Sequence, residues 1–470
     1  MAADTQVKTP DTALKEGLET QGESLVQLYI RRFRRHTLGK VGLGILIVLY
    51  LGAIFADFFA PYTMTWTDKK KSFHPRSHIK WVYEDETGKR RFRPYSYEQI
   101  IENVAFKTYQ AIPEHSLRAI SVETLPYFDE LRSVAVDESR EARRNKIVQD
   151  VSKKYSLSGN AEVLGRLSAE IDRLEAAPEK DLTVRFRVDT VQQNGREVPR
   201  DVLLVKGNKN FLGFFFRGVP YKFWAIFTTD VHFFGSPTGG YYFLGGDQLG
   251  RDVTSRLIHG SRISLSVGLL GIMVSFVIGI LIGGIAGYFG GVIDLVLMRF
   301  AEVILSFPSL ILLFALRATF PPGLSSVQVY LLIVLILSFI GWAGLARIIR
   351  GMVLSLKNEE FVLSARAMGL SNLKIIVKHI LRNTVSFLII QATITIPQYI
   401  LGESGLSFLG LGITDPQSSW GLMLSVGRNT RFIRDFPWLL IPGFFIFLAI
   451  MAWNFFGDGI RDAVDPHSKQ

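Results

Sequence analysis

The sequence predicts an all-α membrane protein of six transmembrane helices, with an extracytoplasmic α+β insert between spans 1 and 2. Three observations carry that prediction. Hydrophobic residues make up 48% of the 470 residues, and the mean hydropathy is +0.24, high for a soluble globular chain. Six apolar runs of about twenty residues occur, each enough to cross ~30 Å of hydrocarbon. Between the first and second run lies a long charged stretch with no segment able to span.

The first 30 residues are polar and mixed in charge and lack the apolar centre of a cleavable leader. Residues 1–40 read as a cytoplasmic segment. Arg31, Arg32, Arg34, Arg35 and Lys40 precede the apolar run Val41–Ala60, taken as the first span at residues 41–60, and this basic block holds the N-terminus in the cytoplasm. Residues 62–240 form the insert. Within it, Asn160–Ala177 carries Val163, Leu164, Leu167, Ile171 and Leu174 on one helical face. Leu182–Val191 alternates as a strand does, Asn194 and Gly195 signal a turn, and Val202–Val205 can pair back. Phe211–Phe216 is apolar but too short to cross; it reads as core or interfacial contact of the insert.

Over residues 243–457 the apolar runs return, at Ser264–Tyr288, Val292–Leu316, Val327–Ala346, Val385–Leu401 and Trp438–Phe456. An even count brings the tail, residues 458–470, back to the cytoplasm. Arg347, Arg350, Lys357, Arg366, Lys374, Lys378 and Arg382 crowd the loop after the fourth run, so count and charge agree that the loop, residues 350–383, is cytoplasmic. Arg251, Arg256 and Arg262, and Arg428, Arg431 and Arg434, fall on the outer side of the same count, against the charge rule.

The net charge of +11 sits in blocks beside apolar runs, which suits the flanks of membrane spans better than a nucleic-acid surface. There is no cysteine, hence no disulfide and no thiolate metal site. His259 and His379 lack partner ligands at metal-binding spacing, so no metal site is expected. No Gly-x-x-x-x-Gly-Lys-[Ser/Thr] loop occurs, so this chain has no nucleotide P-loop. No catalytic residue is assigned and no cofactor is expected in the chain.

The loop Leu356–Asn383 reads as two short helices. The first, about Asn358–Met368, places Phe361, Val362, Ala365 and Met368 at helical spacing, and Gly369 closes it in the left-handed conformation. Ser371 caps the second, in which Leu373, Ile376, Val377, Ile380 and Leu381 form an apolar face. Such a pair either docks a partner through the small-residue notch at Ala365 or lies on the lipid surface. Gly271, Ser275, Gly279, Gly283, Gly287 and Gly291 recur every fourth residue, a stripe for close helix packing or for lining a tightly closing pore. Asp294, Arg299 and Glu302 are charges within the third run; Arg299 and Glu302 can pair at i, i+3, either as a structural pair or at a substrate path. Glu403, past the fifth run, faces a lumen or marks a loop. Gly245–Asp252 reads as a glycine-rich turn whose Asp252 caps a helix carrying Val253, Leu257 and Ile258.

Phe361-Val362-Leu363-Ser364-Ala365-Arg366-Ala367-Met368-Gly369, followed by His379-Ile380-Leu381-Arg382-Asn383, resembles the EAA loop of bacterial ABC importer permeases, with Leu363 and Ser364 where Glu and Ala are usual and Arg382 where Pro is usual. Leu244-Gly245-Gly246-Asp247-Gln248-Leu249-Gly250-Arg251-Asp252-Val253 is similar to the segment before the second span of dipeptide and oligopeptide permeases of the second, C-type subunit, with Gly246 in place of Thr. Leu406-Ser407-Phe408-Leu409-Gly410-Leu411-Gly412, Ser419-Trp420-Gly421 and the ending Gly457-Asp458-Gly459-Ile460-Arg461-Asp462-Ala463-Val464-Asp465-Pro466 resemble the same subunit. The likeness covers residues 31–60 loosely and 243–466 well, and leaves out the insert.

The resemblance implies a non-catalytic permease subunit of the bacterial cytoplasmic (inner) membrane that moves peptides or peptide-like solutes by alternating access. It implies a second homologous permease subunit, two ATPase subunits holding ATP and Mg, and an extracytoplasmic solute-binding protein as partners, besides the lipid bilayer and with no nucleic acid. Coupling to the ATPase falls to Glu359, Glu360, Phe361, Ala365, Arg366, Met368 and Gly369. Gly245, Asp247, Gly250, Arg251 and Asp252 carry the motif before span 2, and Gly271, Gly279, Gly283 and Gly287 the helix packing. A secondary transporter would instead need coupling charges at mid-membrane or repeated broken helices. A membrane sensor would need a cytoplasmic output segment.

Overall fold

The computed structural model describes residues 25–84, 89–103, 107–111, 117–122, 128–131, 139–157, 159–176, 183–193, 196–206, 209–223, 226–237, 239–321 and 323–464. It divides into two compact units. One holds the described residues up to Ile54, Ser261–Ser425 and those from Pro442 on; the other holds Phe55–Gly260 and Val426–Ile441.

The chain opens in the first unit with α1 (Leu25–Arg35) and α2 (Thr37–Ile54). The first apolar helix thus begins and ends earlier than the run Val41–Ala60: at Phe55 the regular backbone breaks, and a separate turn, Ala56–Phe59, follows. At 18 residues α2 is ~27 Å long, enough to cross hydrocarbon.

The second unit is α+β. A three-stranded sheet of order β1-β2-β9 is formed by β1 (Lys80–Glu84), β2 (Arg90–Tyr97) and β9 (Lys209–Phe211). β3 (Gln99–Asn103) pairs with β4 (Thr108–Ala111). A four-stranded antiparallel sheet of order β6-β5-β8-β7 uses β5 (Leu117–Val122), β6 (Phe128–Leu131), β7 (Thr183–Gln193) and β8 (Arg196–Lys206). α3 (Arg140–Tyr155) and α4 (Ala161–Ala176) pack with this sheet around Val151, Leu167, Ile171, Leu174, Val202 and Leu204. The expected faces are those observed: Val184, Phe186 and Val188 of β7 turn to the core, and Phe186 lies opposite Val202. The turn expected at Asn194 and Gly195 lies outside the described residues. β10 (Gly213–Phe223) and β11 (Phe227–Gly235) make a long hairpin, so the apolar run Phe211–Phe216 falls at the end of β9 and the start of β10.

The remaining helices of eight or more described residues are α5 (Val253–Phe289), α6 (Gly291–Ser306), α7 (Ser309–Ala318), α8 (Ser326–Leu356), α9 (Glu360–Ala367), α10 (Val385–Phe408) and α11 (Ile441–Val464). Among the described residues five helices are long and apolar enough to cross a bilayer, or six if the bent pair α6 and α7 is one span. The run Val292–Leu316 is therefore not a straight span. Pro308 removes a backbone donor and forces Phe307 out of the helical region, to φ −91° and ψ 138°, and the chain turns by 90°. In the first unit α2 meets α11 where glycines permit it: a Cβ on Gly39 would come within 2.9 Å of Gly459 Cα, and one on Gly42 within 2.7 Å of Phe456 N.

Candidate functional site

The loop after α8 belongs to the first unit and is ordered by its own core. Glu359 takes an extended conformation at the N-terminus of α9, and Glu360 occupies the first turn, where a carboxylate suits the helix dipole. At the other end Leu370 N–H donates to Ala365 O at 3.3 Å and Gly369 N–H to Arg366 O at 3.0 Å, a paired closure that needs the φ of +74° at Gly369. Val362 and Ala365 are fully buried against Tyr288, Ile349, Val353, Ile375 and Ile376. This corrects the notch expected at Ala365: the residue is small because the chain's own helices close on it. The outward face carries Phe361, Leu363 and Met368, the last 71% exposed, with Glu359, Glu360 and Arg366 beside them. The Arg366 guanidinium lies 5.5 Å from the Tyr288 ring centroid, and Tyr288 donates a hydrogen bond to Asn372 Oδ1 at 3.0 Å.

The second segment of the loop departs from the expected single amphipathic helix. Asn372–Lys374 is one α-turn, Ile375–Ile380 is π-helical and Leu381–Thr384 is 3-10. Ile375, Ile376 and Ile380 are buried, while Leu373 and Val377 are exposed, so the predicted apolar face is split between core and surface. Ser371 sits at the N-terminus of the turn but its side chain makes no capping hydrogen bond.

The small-residue stripe of α5 meets two different helices. Toward its start, Gly271 and Ser275 face α10: a Cβ on Gly271 would lie 2.6 Å from the Tyr399 ring, and the Ser275 and Tyr399 hydroxyls are hydrogen-bonded. Further along, Gly279, Gly283 and Gly287 face α8, where a Cβ would come within 3.0 Å of Trp342 O, 2.9 Å of Ile349 Cβ and 2.8 Å of Val353 Cβ, respectively. Asp294 of α6 receives both Nε and a terminal nitrogen of Arg350 of α8, each at 2.5 Å, and Arg299 pairs with Glu302 at 2.8 Å.

Glu403 corrects a second expectation. It neither marks a loop nor faces an open lumen but is fully buried inside α10. Its carboxylate accepts from Ser407 Oγ at 2.7 Å, Ser264 Oγ at 3.2 Å and Ser404 Oγ at 3.3 Å, with Ser419 a fourth hydroxyl. Ser264 in turn accepts from Trp420 N–H at 3.0 Å, and Ser407 from Ile413 N–H at 3.0 Å. The cluster ties α5, α10 and the segment after α10 together. Sequence reasoning missed it; the readable signal was the run of Glu403, Ser404 and Ser407 on one side of a helix, at i, i+1 and i+4.

The glycine-aspartate turn lies in the second unit. Asp247 accepts from Leu249 N–H at 2.8 Å and Arg251 N–H at 3.0 Å, and pairs with Arg251 Nε at 2.7 Å and Arg256 Nε at 3.7 Å. Gly245 and Gly250 have φ of +99° and +74°; a Cβ on Gly245 would meet the Trp438 indole at 2.8 Å, and one on Gly250 would collide with Asp68 O. Asp252 caps α5 as expected, accepting from Ser255 N–H at 2.6 Å and Ser255 Oγ at 2.7 Å. Burial pushes its carboxyl up to about 6, against the hydrogen bonds of Ser255 and Thr254. Nearby His74 is driven down to about 3 by burial and by Lys71, so it is neutral in its stack on Tyr242. Among the described residues no group of three or more His, Asp or Glu could hold a metal ion.

Long apolar helices packed through small residues, joined by a short ordered loop with an apolar outer face, define a polytopic helical membrane protein. Residues 279–470 match the binding-protein-dependent transport system inner membrane component, and residues 24–75 match the N-terminal TM domain of oligopeptide transport permease C. The dipeptide transport system permease protein DppC of Bacillus subtilis is 44% identical over 230 residues, 49% of this chain and 70% of that protein. The oligopeptide transport system permease protein OppC of Haemophilus influenzae is 45% identical over 231 residues, 49% of this chain and 72% of its own length. The methionine ABC transporter MetNI, in an inward-facing form, aligns over 45% of this chain and 96% of its own at 21% identity with a TM-score of 0.33, too low to argue from. This chain belongs to the inner-membrane permease family of binding-protein-dependent transport systems, as a C-type subunit of the dipeptide and oligopeptide class, with a long β-containing insert between its two matched regions.

Proposed function

We propose that the chain is the translocating subunit of an ATP-driven importer of dipeptides, oligopeptides or peptide-like solutes, working by alternating access with a second permease subunit, two ATPases that hold ATP and Mg, and a solute-binding protein. The observation that carries this reading is the outer face of the loop: Phe361, Leu363, Met368, Leu373 and Val377 are exposed on a segment whose inner face is buried in its own core. A rigid apolar face of this kind is the form a docking element takes, and α9 is the coupling helix that passes ATPase closure into α8 and α10. Glu359, Glu360 and Arg366 give the polar rim. The glycines of α5 supply close contacts along which helices reorient.

The orientation follows from the charge pattern. Residues 1–40, the loop 350–383 and the tail 458–470 are cytoplasmic, the spans number six with α6 and α7 counted as one, and residues 62–240 lie outside. The absence of cysteine makes this direct to test: Ser371→Cys and Arg166→Cys should react with an impermeant maleimide from opposite sides of the membrane. Equal labelling of both in intact cells would sink the six-span arrangement.

Met368→Glu tests the coupling face itself. Met368 is exposed, so the change leaves the fold intact, within about 0.5 kcal/mol. In a packed interface the same carboxylate is desolvated without a partner, which costs a few kcal/mol, and each ~1.4 kcal/mol is tenfold in affinity. Normal insertion with loss of peptide uptake and of ATPase co-purification is the expected result. Retention of both would mean that this face docks nothing.

A further inference from the structure

Among the described residues the β10–β11 hairpin exposes five large apolar side chains: Phe214 at 58%, Phe215 at 64%, Val219 at 43%, Ile226 at 75% and Phe227 at 56%. A regular strand turns alternate residues to opposite faces, so Phe214 and Phe215 should not both point out. Phe215 breaks the alternation with a φ of +54°, a left-handed conformation that carries a steric cost for a bulky residue. Phe214 and Phe215 lie at the open end of the hairpin, where Phe214 is opposite Phe234, and Ile226 and Phe227 at its tip, where Phe227 is opposite Phe223, so both ends present apolar side chains of the kind that mark an interaction site.

The residues that pack behind this face identify its partner. Phe58 lies 6.2 Å from Phe215 and 6.0 Å from Phe233, Phe59 lies 5.4 Å from Phe233, and Phe55 lies 5.8 Å from Phe223, which contacts Phe227 at 5.4 Å. The ring of His232 lies with its two nitrogens 2.8 Å from Ala60 O and 3.0 Å from Val219 O, so the segment and the hairpin are one body. Phe55 is joined by one peptide bond to Ile54, the last residue of the apolar helix α2. Residues 55–59 therefore lie within about 18 Å of chain of the end of a span, and less in their helical turn. That is the depth at which aromatic side chains collect at a membrane surface. Lys222 and Arg217, both exposed on β10, add the positive charge that suits lipid headgroups.

We propose that the β10–β11 hairpin is an interfacial membrane anchor, its Phe214, Phe215, Ile226 and Phe227 side chains inserted among the lipids of the leaflet into which α2 emerges. The anchor fixes the insert at the bilayer surface. It rests on the reading of α2 as a span.

The full chain, free of native cysteine, can be spin-labelled at single sites and reconstituted into phosphatidylcholine–phosphatidylglycerol nanodiscs without any partner protein. Phe215→Cys and Phe227→Cys report on the face, and Ile226→Cys keeps every ring. Arg166→Cys, exposed on α4, is the aqueous reference, and Val48→Cys, exposed on α2, is the lipid reference. The ratio of oxygen to nickel-chelate accessibility by power saturation should be about tenfold higher at 215, 226 and 227 than at 166, approaching that at 48. A ratio equal to that at 166 would place the face in water and end the proposal. Low access to both reagents would show a face covered by protein, a second copy of this chain, and would also overturn it. An aqueous ratio at 48 itself would fail α2 as a span, a result separable from failure of the anchor alone.

Discussion

Gly250 and Gly369 have the same φ, +74°, and opposite surroundings. A Cβ on Gly250 would run into the backbone of Asp68, and the turn around it holds two buried carboxylates, Asp247 and Asp252. A Cβ on Gly369 would meet nothing within 4 Å. Both glycines sit in segments singled out in the sequence by their resemblance to permease motifs, yet the two segments do different physical work. The turn at Gly245–Asp252 is an internal joint: its groups are spent on residues 68–77 and on Trp438, as in the hydrogen bonds from Phe73 N–H to Asp247 O at 2.8 Å and from Trp438 Nε1 to Gly246 O at 3.0 Å. The loop at Glu359–Gly369 uses its glycine only to stop a helix, and leaves one side of that helix unspent.

The sharpest way to break the comparison is at Ala365, a fully buried position of the loop. Ala365→Glu forces a carboxylate into the cluster of Val353, Val362, Ile375 and Ile376. An unpaired buried charge costs several kcal/mol, roughly 3–5 or more. The expected outcome is loss of folded, insertable protein, measured as yield of monodisperse material and melting temperature in detergent. A stable Ala365→Glu that lost only ATPase binding would mean the residue faces outward after all.

The glycines themselves give the next effect. Gly250→Ala incurs the left-handed penalty of about 1–2 kcal/mol and a backbone collision worth another 1–3 kcal/mol. Gly369→Ala incurs only the first, about 1 kcal/mol, because its surroundings are open. Melting temperatures of the two variants in the same detergent should fall in that order. Equal shifts would show that the crowding at Gly250 relaxes without cost.

Much of this was legible in the sequence, and the failures share a cause. Apolar runs and the 3.6-residue and two-residue periods point to the long apolar helices, the helix Ala161–Ala176 and the strand Thr183–Gln193, because burial selects residue type directly. The stripe on α5 was legible as packing, but its division between Tyr399 of α10 and Trp342–Val353 of α8 was not, since a glycine does not name its neighbour. Glu403 was misread because polar residues that satisfy one another lower the local hydropathy and look like a loop: Glu403, Ser404 and Ser407 ended the predicted run at Leu401, whereas α10 continues to Phe408. The bend before Pro308 was in the letters and was overridden by a strong apolar run. Ala365 was read as a notch for a partner because a small residue on an amphipathic helix has the same pattern whichever side closes on it.

A further expected effect concerns pH, and it separates the turn from the loop by chemistry rather than volume. Asp252 is buried, and the hydrogen bonds it accepts, Ser255 N–H to Oδ2 among them, offset only part of its lost hydration. Desolvation therefore raises its carboxyl from 3.8 to about 6 in the folded chain. A carboxyl whose folded value lies above its unfolded value binds its proton more tightly when folded. Its contribution to stability is full below pH 4, falls as pH rises from about 4 to 6 while the unfolded chain ionises first, and is constant above. A shift of this size corresponds to an effect of order 3 kcal/mol. Asp252→Asn keeps an oxygen for Ser255 N–H and removes the titration. Comparing the two proteins from pH 4 to 7, the wild-type melting temperature should decline relative to the variant up to pH 6 and run parallel beyond it. Exposed acids cancel in that difference because both proteins carry them. A wild type that gains stability relative to Asp252→Asn over the same interval would reverse the sign, and would mean that the carboxylate at the head of α5 is held charged by the turn rather than merely tolerated by it.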